Sequence, residues 1–183
     1  MTSPFMRRPF RASLAVCCLV LLCASARAQF TLSDLQIAGR ALGFLEKPLS
    51  GDVRAGIVYA PDDPRSVAEA DALKVLLGGG LRVGSVRLVP VLVPVAELNR
   101  ADVALFFLTA GITDADTKSV TAAAVAKHTP CITTDLSQVR AGVCAMGVRA
   151  QPKIEIFVNR AAAASTNLAF SAVFRMKIGR AHV

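Results

Sequence analysis

The sequence predicts an α/β fold: a single three-layer domain built on a mostly parallel sheet. Three observations carry this. Short apolar runs rich in Val, Ile and Leu alternate with helical stretches. Several of these runs lack an in-out alternation, as strands buried on both faces do. The stretches between them begin with capping residues and end near glycine or proline.

The elements follow in order. In "TLSDLQIAGRALGFLE", Leu35, Ala38, Leu42 and Leu45 recur at helical spacing, and Thr31 with Asp34 has the spacing of a capping box. "VRAGIVYA" (53–60) is an apolar run closed by Pro61-Asp62-Asp63-Pro64, which predicts a buried strand and a turn. "SVAEADALKVLLGGG" predicts a helix opening with Ser66 and Glu69 at capping-box spacing and stopping at Gly78. "VGSVRLVPVLVPV" is β-branched but holds Pro90 and Pro94, which cannot donate to a ladder, so it is expected at a sheet edge. The prolines are four apart, so both missing N–H groups point to the same side. An edge position for the second strand agrees with a flavodoxin-like order, 2-1-3-4-5.

"DVALFFLTAG" (102–111) is the most apolar run and is expected to be a central strand. Thr113 and Asp116 cap the helix "DADTKSVTAAAVAKH", and "PCITTD" is a further short strand. Beyond Asp135 the pattern changes. "GVCAMGVR" and "KIEIFVN" flank Ala150-Gln151-Pro152 and predict an antiparallel pair, so the C-terminal portion is expected to be antiparallel. Asn159 caps the short "RAAAAS" helix, and the alternation in "LAFSAVFRMK" predicts a last strand.

The ends of the chain are set apart. Residues 1–28 have the order of a cleaved signal peptide: basic (Arg7, Arg8, Arg11), then an apolar run, then Ala26-Arg27-Ala28 as the cleavage signature. The run is too short to span a bilayer, and Arg7-Arg8-Pro9-Phe10 faintly resembles a twin-arginine signal, the minority export route. Cleavage removes Cys17, Cys18 and Cys23, and it lowers the formal charge of +8 by four. What remains lacks the clustered basic and aromatic residues of a nucleic-acid binder, and no stable membrane insertion is expected after cleavage. "IGRAHV" (178–183) matches the translation of a common short-read sequencing adapter and is expected to be a non-native tail. The domain is thus expected to run from Gln29 to Lys177, enough for a real core.

Candidate chemistry is sparse. The glycines of "LGGGLRVG" follow a helix and precede a strand, the reverse of a dinucleotide-binding loop, so they read as a helix stop and turn. Asp62, Asp63, Asp114, Asp116 and Asp135 fall near carboxyl ends of strands, where open α/β sheets bind ligands, but turn and cap roles account for them better. His128 stands at a helix end with no motif of a nucleophile around it. No catalytic residue, cofactor or metal site is expected. Cys131 and Cys144 are the two cysteines left after cleavage. They admit three readings: a disulfide, two buried thiols, or metal ligands together with His128. An oxidising compartment favours the disulfide, and the missing fourth ligand disfavours zinc.

The segment "CITTDLSQVRAGVCAMGVRAQPKIEIFVNRAAAASTNLAFSAVFRMK" resembles the YfiR family of small periplasmic proteins, with weaker likeness back to "AGRALGFLEKPL" and "GIVYAPDDP". "LEKPL" departs from the aromatic-Pro ending that the family often carries there. The resemblance implies a periplasmic α/β domain, often dimeric and disulfide-bearing, that restrains an inner-membrane diguanylate cyclase by binding its periplasmic part. It implies no catalytic residues. The expected function is therefore a non-enzymatic regulator and homodimer, with Phe157, Val173 and Phe174 as candidate partner-binding residues. The alternative is a single-lobe periplasmic solute-binding protein, suggested by "GIVYAPDDP" and "LTAGITDAD" at strand ends.

Overall fold

The computed structural model describes residues 29–172. The expected signal peptide with Ala26 and Ala28, the expected foreign tail, and Val173 and Phe174 lie outside the described residues.

The elements run α1 (Leu32–Leu42), β1 (Gly51–Tyr59), α2 (Pro64–Leu77), β2 (Leu81–Val83), β3 (Val86–Pro94), a 3-10 turn (Val95–Glu97), β4 (Leu105–Leu108), α3 (Asp114–Ala126), β5 (Cys131–Thr133), α4 (Leu136–Arg140), β6 (Met146–Arg149), β7 (Glu155–Val158) and α5 (Arg160–Ser165). The seven strands form one mixed sheet of order β2-β3-β1-β4-β5-β6-β7. The ladders β3–β1, β1–β4, β4–β5 and β5–β6 are parallel, whereas β2–β3 and β6–β7 are antiparallel. This is the α/β three-layer domain that the sequence predicts, with its flavodoxin-like start and its antiparallel end.

Alternation along the central strands sorts side chains into two cores. Val53, Ala55 and Ile57 of β1, with Leu105 and Phe107 of β4, meet α1, α2 and α5 on one face. Val58, Phe106 and Leu108 meet α3 and α4 on the other. Both faces are covered, so β4 reads as a continuous apolar run, and all four of its residues are buried. The N-terminal segment is anchored by Phe30, which is buried and stacks edge-on against Phe107 at 5.3 Å.

Local chemistry explains most of the boundaries. The Thr31–Asp34 capping box is complete, and Asp34 also accepts the N–H of Ala150 at 2.7 Å, tying α1 to the end of β6. Thr113 caps α3, Asn159 caps α5, and Gly78 ends α2 at φ 53°.

Several expectations are corrected. Helix α2 starts two residues before Ser66, because Asp63 is its N-cap and Pro64 fills its first position. The proline-bearing strand is flanked by a short edge strand: β2 pairs with β3 through the two-residue turn Gly84-Ser85. The edge is thus β2, and β3 is next to it. Strand pairing also extends over a shorter stretch than expected in the 102–111 run. A five-residue helix, α4, capped by Asp135, connects β5 to β6 and makes that ladder parallel. Within its described part, "LAFSAVFRMK" forms no strand. Phe170 makes a single antiparallel bridge to Leu45, and its ring is buried against the core around α1.

Candidate functional site

The order of the sheet sets the switch point between β1 and β4, where the chain leaves toward β3 on one side and β5 on the other. Ligands of open α/β sheets commonly enter there. Here the position is filled by the protein's own polar groups. The Ser66 hydroxyl accepts the N–H of Ala60 at 2.9 Å and lies 2.7 Å from the Thr109 hydroxyl, which donates to the Val58 carbonyl at 2.9 Å. Beside them the Glu69 carboxylate accepts the N–H of Ala110 at 2.6 Å and that of Phe30. Ser66 is 0% exposed and Glu69 2%. Burial pushes the Glu69 carboxyl up from its ordinary range, and the two N–H donors oppose that rise. Ser66 and Glu69 thus make inward contacts instead of capping α2, whose N-cap is Asp63.

One strand further along, the carboxyl ends of β4, β5 and β6 frame an open cleft of about 440 Å³. Thr109, Thr133 and Thr134 form its buried floor. Gln138 of α4, Asp135 and Arg149 stand at its rim. Asp135 is the N-cap of α4, and one of its oxygens, Oδ1, takes both the N–H and the hydroxyl of Ser137 at 2.9 and 2.6 Å. Arg149 faces Glu155 across the β6–β7 ladder at 3.9 Å, while Lys153 holds the same carboxylate at 3.2 Å. Gly111 forms part of the cleft lip at φ 78°, where a side chain would strike the Asp63 carboxylate. The Arg65 guanidinium and backbone N–H hold the Asp63 carboxyl well below the carboxylate range, at about 2.

Cys131 and Cys144 stand at disulfide distance, with Cα atoms 4.5 Å apart. They lie at the amino ends of β5 and β6, the opposite ends of these strands from the cleft, and both are buried in the core under α3 and α4. Cys144 precedes β6 by two residues instead of lying in the strand. His128 is exposed at φ 50°, just past α3, with Nδ1 3.3 Å from the Ser165 carbonyl. Among the described residues no group of three His, Cys, Asp or Glu is placed to hold a metal ion. No described helix is long and apolar enough to cross a membrane. Of the five aspartates near strand ends, Asp63 and Asp135 are helix N-caps, and Asp135 also lines the cleft.

Phe157 of β7 is half-buried. It packs on the core around α4 and sits opposite Gly147, where a side chain would collide with Val139 and Leu136. Its neighbours Ile156 and Val158 pack on the other core.

The two edges of the sheet differ. On one side, the hairpin pairing Val83↔Val86 and Leu81↔Leu88 directs the even-numbered backbone groups of β3 outward. Beyond β2 those positions are Pro90, Leu92 and Pro94, so two of three have no N–H to offer. On the other side, Asn159 donates to the Ala145 carbonyl at 3.0 Å, which turns the backbone groups of Ile156 and Val158 outward. No described strand pairs with β7 on that side. Ile154, just before β7, is 69% exposed.

No protein-family model matches the chain, and no curated protein matches it.

Proposed function

We propose that this chain is a non-enzymatic, exported regulator that works in the periplasm by binding the periplasmic part of an inner-membrane signalling protein, as a homodimer. The observation that carries the reading is the asymmetry of the sheet edges. One edge is shielded by β2 and by Pro90 and Pro94, devices that discourage strand addition. Among the described residues the other ends in β7, with outward backbone groups and the exposed Ile154 beside them. Such an edge recruits a strand from another chain through main-chain hydrogen bonds. The buried polar groups at the switch point support the absence of turnover, since Ser66, Thr109 and Glu69 are spent on internal hydrogen bonds. The likeness to the YfiR family points to a diguanylate cyclase as the type of partner.

Co-isolation from solubilised membranes tests the reading. The wild-type chain is expected to recover one integral membrane protein, and Ile154→Asp, which alters an exposed side chain, is expected to lose it. Recovery of no membrane protein by the wild type counts against the regulator. A second reading, a single-lobe solute-binding protein, is favoured by one observation: the polar cleft at the strand carboxyl ends.

A further inference from the structure

We infer that the cleft at the carboxyl ends of β4, β5 and β6 binds a small hydroxylated monocarboxylate, with Arg149 taking the carboxylate. The inference names the ligand class for the cleft behind the second reading, and it holds equally for a regulator whose partner binding is tuned by a ligand.

Charge comes first. Among the described residues Glu155 is the single acid that reaches Arg149, and it is shared with Lys153, which sits closer at 3.2 Å against 3.9 Å. The guanidinium is left with donors to spare at the rim of a concave polar site. Its planar fork matches a carboxylate through two parallel hydrogen bonds. A dianion such as phosphate is disfavoured, because Arg149 is the only cation among the described lining residues and the Asp135 carboxylate lines the same cleft.

The remaining groups recognise hydroxyls. Oδ1 of Asp135 is occupied by Ser137, so Oδ2 remains to accept from a ligand. The carboxamide of Gln138 offers both a donor and an acceptor. Thr133 accepts the N–H of Asp135 at 3.0 Å, which leaves its own proton to donate into the floor. An apolar tail would bury these groups unpaired, at a cost that selects against it. The volume of about 440 Å³ falls in the range of small-molecule sites.

The test is calorimetric titration of the whole chain, purified from the periplasm, with D-gluconate, butyrate and inorganic phosphate as probes. Gluconate is expected to bind saturably with a Kd of about 1 mM or tighter, and ahead of both other probes. Arg149→Gln should weaken gluconate roughly tenfold or more, with the melting temperature retained. Gln138→Leu, on the short helix α4 and outside every strand ladder, is the second variant and should weaken it roughly fivefold. Absent gluconate binding, equal binding of butyrate or phosphate, or wild-type affinity in both variants overturns the inference. None of these results bears on recovery of a membrane partner, so the two proposals fail separately.

Discussion

The hydroxyls of Ser66 and Thr109 lie 2.7 Å apart, joining the first turn of α2 to the end of β4 across the switch point of the sheet. Ser66 also satisfies the buried N–H of Ala60. Ser66→Ala leaves that donor without a partner and should destabilise the fold by about 1–3 kcal/mol. Thr109→Val removes the other end. In denaturant melts the double variant should lose less than the two singles combined, because they share one bond. Additive losses would show that the hydroxyls act independently.

Glu69 and Asp63 give stability opposite pH dependences. The folded carboxyl of Glu69 titrates above its unfolded value of 4.5, so the folded state binds its proton more tightly. Its contribution therefore improves as pH falls through the raised folded value toward 4.5 and is constant below that. Asp63 titrates at about 2 against 3.8 unfolded, so its contribution is present above 3.8 and lost as pH falls toward 2. Glu69→Gln should flatten the slope of stability above pH 4.5 and leave the acid limb in place. Arg65→Ala, followed by carboxyl NMR, should return Asp63 toward 3.8. Unchanged slopes in both variants would contradict these assignments.

Cys131 and Cys144 should be found linked in the purified protein by mass spectrometry without reduction. A loop of this length contributes about 3 kcal/mol in the chain-entropy model, so Cys144→Ala should lower the melting temperature by roughly 10 °C. Free thiols in the purified protein would remove the staple from the description.

Gly111→Ala should destabilise by about 1–3 kcal/mol. The new methyl needs a backbone conformation that L-residues avoid, and it strikes the N-cap carboxylate of α2. Because Gly111 also lines the cleft, gluconate affinity should fall in the same variant. A neutral effect on stability would mean that the loop shifts freely.

The fold was legible where a single segment carried its own signal. The Thr31–Asp34 and Thr113–Asp116 pairs fixed two helix starts, and the run around Phe106 and Phe107 marked a strand covered on both faces. Ser66 and Glu69 misled because their spacing suits a cap while their partners, Ala60, Thr109 and Ala110, are distant in sequence. Asp63-Pro64 was the truer sign of the start of α2. The short β2 and α4 were missed, since three and five residues hold too little periodicity. The cleft joins residues near 109, 133 and 149, and the strand-end positions of "LTAGITDAD" and of Asp135 hinted at it, whereas Gln138 and Arg149 carried no such signal.

The most direct test of the central claim is photo-crosslinking in intact cells, with a photoreactive residue in place of Ile154 beside β7 or of Arg82 on the opposite edge strand. Both positions are exposed. The predicted result is one crosslinked inner-membrane protein from position 154 and none from position 82. No crosslink from position 154, or equal crosslinking from both edges, would contradict it.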